Sequence, residues 1–200
     1  MAIINLKKRI TNDIDEYEDN KKSERSFIFV DEDIQHDNCS PEVLILKVGD
    51  SYYENSQRLK IKDKGLVIKP GESKIIETKQ RISTPLNVIG VICGIGTNIH
   101  QNGFVSSGKI DQGFSGKLKI GFYNGGKKNF TFKEGAVLAS AIFYSTEETL
   151  SAALTEQAYE LTPSYEMTFW DHVKTFFSNH WVSIISLVVA VIALIVDIIK

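Results

Sequence analysis

One turn of the sequence carries the residues best suited to chemistry. Asp111 stands between "GKI" and "QGF", and the aromatic residue Phe114 follows it three positions later. A carboxylate can bond a ligand hydroxyl and polarise a water molecule, and an aromatic face can pack on a ring. An aspartate before Gln-Gly can also bond its own backbone in a turn. Spacing alone favours the turn-forming interpretation over the ligand-binding one.

The elements around this turn are predicted to be β-strands. From Ser26 onward, short runs alternate apolar and polar residues, and turn residues such as Pro70-Gly71 and Glu134-Gly135 separate them. In one run, Leu118, Ile120 and Phe122 would point to one face. Because the runs show no βαβ rhythm, they predict an all-β domain over residues 26–145, folded as a sandwich, jelly roll or small barrel.

Two polar segments flank the predicted β domain. Residues 1–25 are charged and are expected to form an N-terminal arm or helix. Residues 146–174 begin with Ser/Thr and glutamates, which is typical of a helix start, and are expected to form a helical linker or juxtamembrane region.

The C-terminal segment is predicted to cross a membrane. The run "TFFSNHWVSIISLVVAVIALIV", residues 175–196, contains no fully charged residue, and as a helix it would be about 33 Å long, close to the hydrocarbon thickness of a bilayer. Aromatic residues precede it, as in an interfacial belt. We therefore predict a transmembrane helix over residues 175–199, a C-terminal single-pass anchor in the cell membrane with the N-terminal domain in the cytoplasm. A buried core helix is the alternative.

One side of this predicted helix carries small residues. The spacing of the set is 3-4-3-4, which places its members on one seam: Ser183, Ser186, Ala190, Ala193 and Asp197. Small residues let helices approach closely in lipid, so the seam is a candidate for self-association. Chance is the competing explanation, because alanine and serine are common.

Composition excludes several classes of function. The net charge is −2 and the pI is near 6.1, so no global basic field recruits nucleic acid, and no nucleic-acid partner is expected. The lysine cluster over residues 60–64 is interpreted as a solvated face. The four histidines and two cysteines have no metal-binding spacing, and the HxE…PCxxC signature of zinc-dependent nucleobase deaminases is absent. No metal site is therefore predicted from the residues themselves.

Four segments, in order, resemble one family. "GKIDQGFSGKLKIGFYNGG" is similar to the strongest motif of the dCTP deaminase and trimeric dUTPase superfamily, G-x-I-D-x-G-[FWY]-x-G. Three further segments resemble the family's first core strand, its passage into the substrate loop and its closing strand: "IQHDNCSPEVLILKVGDSYY", "IKPGESKIIETKQRISTPLNVIGVICG" and "FTFKEGAVLASAIFY". The resemblance covers about 120 residues, from Gln35 to Tyr144.

The resemblance implies a fold, an assembly and a ligand. A distorted β-barrel or jelly roll is expected to assemble as a homotrimer, whose sites lie between subunits and bind a deoxynucleoside triphosphate with Mg²⁺. Asp111 would position the sugar and activate water, and Phe114 would pack on the deoxyribose. The resemblance therefore reverses the preference for Asp111 in favour of ligand contact.

The chain departs from the family pattern at the positions that carry catalysis. The deaminases have a glutamate as general base in the strand after the motif, where this chain has Gly121. A glycine can neither take nor give a proton. Ile45 also stands where the family often has an aspartate, and the glycine-rich arm of dUTPases has no counterpart.

The family's phosphate loop is altered as well. Its "G-R-S-S-x-x-R" pattern is replaced by "GIGTNIH", so Ile95 and His100 stand where arginines grip phosphate. The candidate ligand contacts that remain are Gly96, Thr97, Asn98 and His100, through one hydroxyl, an imidazole and backbone that could cradle an anion. A flexible glycine turn without a ligand is the alternative.

These observations support three hypotheses of function. The first is a catalytically degenerate domain that binds a nucleotide-type ligand and acts as a sensor or effector at the membrane, by analogy with bacterial defence systems. The second is an active membrane-anchored dCTP deaminase or dUTP diphosphatase. The third is a structural membrane protein whose β domain binds no small molecule.

Overall fold

The described part of the chain is built almost entirely of β-strands. The computed structural model describes residues 2–23, 25–32 and 41–151. The strands before residue 70 are β1 (Ala2–Ile3), β2 (Ile10–Thr11), β3 (Ile28–Val30), β4 (Val43–Glu54), β5 (Gln57–Lys60) and β6 (Leu66–Ile68). The later strands are β7 (Ser73–Ser83), β8 (Val88–Cys93), β9 (Gly103–Val105), β10 (Lys109–Ile110), β11 (Ser115–Asn124), β12 (Phe130–Phe132) and β13 (Val137–Ser145). The predicted β-rich class is confirmed.

Three short helices interrupt the strands. They are α1 (Leu6–Arg9), α2 (Ile14–Asn20) and α3 (Gly96–Ile99). Asp13 caps α2, because its carboxylate accepts hydrogen bonds from the backbone N–H groups of Asp15 and Glu16.

Strand β4 holds the sheet together. Eleven strands form one sheet along the path β10-β8-β13-β4-β7-β11-β9, and β6 pairs separately with β12. The first half of β4 pairs with β13, and its second half pairs with β7 and β5. The register shifts between Val48 and Tyr52, where a Cβ on Gly49 would lie 2.8 Å from the carbonyl oxygens of Glu77 and Thr78. The close backbone approach at this bend therefore requires glycine.

One hydrophobic core is formed by buried side chains from most of the strands of the sheet. It contains Leu46 of β4 and Phe143 of β13, both fully buried, together with the predicted row on β11. Leu118, Ile120 and Phe122 are 6%, 0% and 0% exposed, which confirms their predicted orientation. The ring of Phe122 packs edge-on against two aromatic rings of β12, so the small β6–β12 sheet is joined to the main sheet through this core.

The N-terminal residues pack onto the β domain. Strand β1 pairs with β13, β2 runs parallel to β3, and the Ile4 N–H donates to the Phe143 carbonyl at 2.9 Å. Leu6 is fully buried and Tyr17 is 6% exposed. The segment over residues 1–25 contains the short helices α1 and α2 and the short strands β1 and β2. The residues of β1 are exposed, so pairing with β13, and not burial, makes them a strand.

The chain that leaves β13 turns back along the domain. The Thr146 N–H donates to the Asn87 carbonyl at 2.9 Å, and the Leu150 N–H donates to the Leu86 carbonyl at 3.0 Å. Residues 146–151 contain no helix.

The predicted membrane helix, residues 175–199, and its seam of small residues lie outside the described residues, as does most of the linker predicted over residues 146–174. Within residues 2–23, 25–32 and 41–151, no helix has the length and apolar character needed to cross a bilayer.

Candidate functional site

The turn that carries Asp111 is held by a buried threonine. The Thr84 hydroxyl donates to the Asp111 carbonyl at 2.6 Å and accepts from the Phe114 N–H at 3.1 Å. The Thr84 N–H donates to the Phe114 carbonyl at 2.9 Å, and Gly113 has a φ of +74° within the turn. Because backbone and hydroxyl close the turn, the Asp111 carboxylate is available for contacts outside it.

Helix α2 helps to hold Thr84 in place through one hydrogen bond. The Tyr17 hydroxyl donates to the Thr84 carbonyl at 3.0 Å. Burial, with a smaller contribution from the charge of Glu18, raises the pKa of Tyr17 to about 12, so its phenol stays protonated as a donor at neutral pH. The N-terminal segment thus positions the Asp111 turn.

Asp111 and Phe114 line one small cavity, which we call the Asp111 cavity. Its volume is about 270 Å³. Its wall is formed by Ile92, Ser106, Gly108, Lys109, Asp111, Phe114, Lys117, Leu118 and Lys119. Lys109 Nζ lies 2.6 Å from Asp111 Oδ1, and the Asp111 side chain is 35% exposed. Three ammonium groups and one carboxylate leave the wall with an excess of positive charge, which suits an anionic ligand.

A second cavity lies beside Gly121, and we call it the Gly121 cavity. Its volume is about 600 Å³. Its wall contains Tyr53, Glu54, Asn55, Ser73, Lys74, Ile75, Phe104, Val105, Ser106, Gly121, Phe122 and Tyr123. Ser106 lines both cavities, and its Oγ accepts from the Gly121 N–H at 2.9 Å.

The Gly121 position has little room for a larger side chain. A Cβ there would lie 3.1 Å from Ser106 Oγ, which is a tight contact. The carboxylate of this wall belongs to Glu54, which forms an ion pair with Lys74. At the position where the family resemblance implies a glutamate, the structure has a glycine beside the Ser106 hydroxyl.

The four other predicted contacts lie on and next to α3. The Asn98 amide is 9% exposed and donates to the Leu138 carbonyl at 3.2 Å. Gly96, Thr97 and His100 are exposed. None of these four lines the Asp111 cavity or the Gly121 cavity, so the described chain brings Asp111 and Phe114 together but not the α3 residues with them.

The two isoleucines that replace family residues are half-buried. Ile95 is the N-cap residue of α3, and its carbonyl accepts from the Asn98 and Ile99 N–H groups. Ile45 pairs with Ser140 across β4 and β13.

Another charged cluster on the same sheet has a structural role. The Arg58 guanidinium makes two hydrogen bonds to the Glu77 carboxylate, at 2.9 and 3.3 Å, and the Tyr53 hydroxyl donates to Glu77 Oε2 at 3.2 Å. Hydrogen bonding to Glu77 raises the pKa of Arg58. Glu77 is 7% exposed, so this satisfied carboxylate is closed to a ligand.

No dedicated metal cage occurs in the described part of the chain, where no three His, Cys, Asp or Glu side chains are grouped to hold an ion. Asp111 is the single carboxylate on its cavity wall. That arrangement fits Mg²⁺ held mainly by the phosphates of a nucleotide, with one carboxylate beside it.

Several residues that complete the site were not predicted from the sequence. Lys117 and Lys119 alternate with buried residues on β11, and this alternation was the signal that they share a face with Gly121. Thr84 and Tyr17 gave no comparable signal, because tertiary contacts bring them to the turn from distant parts of the chain. Ser106 gave none because its hydrogen bond to Gly121 follows from the packing of its loop beside β11.

Comparisons with known proteins agree on the class defined by this fold and turn. The sequence model of the dUTPase family matches residues 61–166, more than half of the chain. The chain therefore belongs to the dUTPase family.

Individual relatives include deaminases. The chain is 30% identical over 105 residues to a dCTP deaminase of Tolumonas auensis, covering 49% of this chain and 50% of that protein. It is 30% identical over 102 residues to a dUMP-forming dCTP deaminase of Methanosphaerula palustris, covering 48% and 50%. The chain thus spans about half the length of these relatives.

Solved structures with a similar fold include a deaminase. It is a 2'-deoxycytidine 5'-triphosphate deaminase from Agrobacterium tumefaciens, with a TM-score of 0.51 and 15% identity, covering 58% of this chain and 43% of that one. At this identity the likeness concerns the fold alone.

Proposed function

We propose that this chain is a membrane-anchored nucleotide-binding member of the dUTPase family that has lost deaminase catalysis and acts as a sensor or effector. The observation that carries the proposal is the Asp111 cavity, which joins a carboxylate and an aromatic ring to three lysines. The carboxylate suits a sugar hydroxyl, the ring suits a sugar face, and the ammonium groups suit phosphate oxygens. A role in bacterial defence is the setting that we favour, by analogy.

The loss of catalysis is supported by three positions. Gly121 has no side chain that could exchange a proton, and its N–H donates to the Ser106 hydroxyl. Ile95 and His100 replace the family's phosphate-gripping arginines. Isoleucine offers no charge, and an imidazole lacks the planar fork with which a guanidinium binds phosphate bidentately.

A homotrimer is part of the proposal. Asp111 and Phe114 line a cavity that the α3 residues do not reach within one chain. If both groups contact one ligand, the α3 residues must come from a neighbouring subunit, as in a distorted barrel or jelly-roll trimer. Size measurement by light scattering checks this assembly, and a monomer that binds nucleotide at full affinity would contradict it.

Membrane attachment completes the proposal. The apolar segment over residues 175–199 would anchor the chain, and the seam of small residues would pair the helices of neighbouring subunits. A physical connection starts at the ligand turn, because Gln112 follows Asp111 and its amide donates to the Leu86 carbonyl at 3.0 Å and the Thr146 hydroxyl at 3.1 Å. Thr146 lies just after β13, on the chain that leads towards the anchor.

Nucleotide binding and turnover separate the hypotheses. The full chain in mild detergent is incubated with dCTP or dUTP and Mg²⁺, while melting, ammonia and pyrophosphate are measured. We expect a ligand-dependent rise in Tm without turnover. Asp111→Asn should weaken binding about tenfold, the loss expected for one charge-assisted hydrogen bond. Asp19→Asn, an exposed acid on α2, is the matched control and should change neither quantity.

A dUTP diphosphatase is the second candidate, and the matched family supports it together with the retained Asp111 and Phe114. Pyrophosphate release from dUTP that Asp111→Asn abolishes would establish this candidate and sink the sensor proposal as stated. The absence of both turnover and a nucleotide-dependent shift in Tm would leave the structural membrane protein.

A further inference from the structure

A second charged surface lies away from the Asp111 cavity, between the β4–β5 hairpin and β6. It is a groove of about 770 Å³, which we call the lysine groove. Five lysines line it: Lys60, Lys62, Lys64, Lys69 and Lys74. The chain as a whole has a net charge of −2, so this concentration of lysines is opposite in sign to the net charge.

The acids in the groove do not balance these lysines. Lys74 is largely buried and forms an ion pair with Glu54, so that pair contributes no net charge. The Glu72 carboxylate accepts a hydrogen bond from the backbone N–H of Lys69 at 3.0 Å. Asp63 is the remaining acid on the wall. Four exposed ammonium groups therefore face two carboxylates, which leaves the groove positive.

The groove also carries apolar surface. Val67, at the centre of β6, is 43% exposed and pairs with Thr131 of β12. Lys133 lies next to Gly65, a residue of the groove wall, and extends the positive surface there. Its Cγ would be 3.4 Å from a Cβ built on Gly65. Exposed lysines around an exposed aliphatic residue are typical of a surface that meets charged headgroups and the apolar layer just below them.

The geometry points to a docking surface for an anionic phospholipid membrane in the lysine groove. Exposed lysines spread along an open groove match the diffuse charge of many headgroups. Each lysine near an anionic leaflet contributes attraction that decays within a Debye length. This inference rests in part on the membrane anchoring proposed above.

Tethering makes such weak contacts effective. The sequence between the last described residue and Thr175 would span at most about 80 Å if fully extended, which keeps the β domain close to any bilayer that holds the C-terminal segment. Docking is then effectively intramolecular, and modest attraction per lysine is enough to orient the domain.

Lysine footprinting on vesicles tests the docking. The full chain is reconstituted into vesicles of phosphatidylcholine alone, or with about one third phosphatidylserine, and exposed amines are acetylated and quantified by mass spectrometry. We expect labelling of Lys60, Lys62 and Lys64 to fall at least about threefold in the anionic vesicles and to recover at about 0.5 M NaCl. Labelling of Lys7, Lys8 and Lys22, which lie outside the groove, should stay equal in both.

A matched pair of variants gives the second measurement. The triple variant K60Q/K62Q/K64Q should lose the phosphatidylserine-dependent protection of Lys69, while K7Q/K8Q/K22Q should keep it. Equal protection of Lys69 in both variants, or equal labelling of the groove in both kinds of vesicle, overturns the inference. Protection by a duplex oligonucleotide but not by phosphatidylserine also overturns it, in favour of a nucleic-acid surface.

The membrane anchor and nucleotide binding can each be tested separately from the lysine groove. Anchoring is measured by co-sedimentation with pure phosphatidylcholine vesicles, where the lysines contribute little. Nucleotide binding is measured by the shift in Tm without lipid. The chain could stay in the supernatant with neutral vesicles but pellet with anionic ones, and K60Q/K62Q/K64Q could abolish that pelleting. This result would support docking through the lysine groove and refute the membrane anchor.

Discussion

The Asp111 turn and the α3 segment are the two regions that the family resemblance connects with a ligand, and they are held in opposite ways. The Asp111 turn is closed by Thr84, so its carboxylate faces a cavity with three lysines. In α3 the best-placed polar side chain, Asn98, is directed inward to the Leu138 carbonyl. The turn presents a charge to a cavity, whereas the buried amide of α3 holds that segment against the backbone of β13.

This difference shows that the contacts that shape the Asp111 turn are separate from the residues at position 121 and on α3. The contacts that shape the turn come from backbone and from Thr84, and they do not depend on a residue at position 121. Position 121 takes no part in these contacts, and a Cβ there would lie 3.1 Å from Ser106 Oγ. Positive charge is found instead on β11, where Lys117 and Lys119 alternate with buried residues.

The largest effect is expected where the α3 segment joins the core. Gly103 begins β9, and a Cβ there would lie 2.5 Å from Phe122 Cζ and 2.7 Å from Phe130 Cζ. Because both rings are packed in the core, Gly103→Ala should cost about 3 kcal/mol in the free energy of unfolding, measured by chemical denaturation. The control is Gly108→Ala, whose Cβ would make an ordinary 3.6 Å contact with Ile92 and should change stability by less than about 0.5 kcal/mol. Equal losses in both variants would contradict the packing explanation.

Removal of the Thr84 hydroxyl should destabilise the Asp111 turn. Thr84→Val keeps the shape but removes two buried hydrogen bonds, so we expect about 2 kcal/mol lower stability and weaker nucleotide binding. Thr84→Ser retains the hydroxyl and should recover most of both. Titration calorimetry and denaturation on the same samples provide the measurement. Unchanged nucleotide affinity in Thr84→Val would mean that the turn does not position the ligand.

A smaller effect should separate the buried and exposed residues of α3. Asn98→Ala leaves the Leu138 carbonyl without its amide donor and should cost about 1 kcal/mol. His100→Ala, at an exposed position next to it, should leave stability unchanged. If the two residues act on a ligand across a subunit contact, His100→Ala should lower nucleotide affinity only in the assembled protein. A stability loss in His100→Ala alone would reverse the roles assigned to them.

The smallest effect concerns a charged network remote from both regions. Burial opposes ionisation of Glu32, but hydrogen bonds and attraction from Lys79 and Lys47 outweigh it and lower the pKa of this carboxyl. A lowered pKa stabilises the fold above the unfolded-state value, and this contribution is lost as pH falls through the folded-state value. Glu32→Gln should therefore cost less than about 1 kcal/mol at neutral pH.

The pH profile is the check on that network. The difference between Glu32→Gln and the unchanged protein should shrink as pH falls from about 4.5. A difference that grows towards acid pH would show that Glu32 is not stabilised as an ion.

Much of the fold could be predicted because alternation reports burial directly. The row formed by Leu118, Ile120 and Phe122 followed from period two, and all three side chains are buried. The short strands β1, β2 and β10 were not predicted. At two residues each, they are too short to show a period, and only their pairing partners make them strands.

The candidate site divides in the same way. The sequence by itself determined that Asp111 and Phe114 sit in one glycine turn and that Gly121 has no carboxylate, because residue type and local spacing settle such facts. Only the tertiary structure decided that Thr84 closes this turn, that Tyr17 supports Thr84, and that Asn98 is directed inward. These contacts join residues far apart in the chain, and a hydrogen bond between them depends on the path of the sheet, which no local pattern encodes.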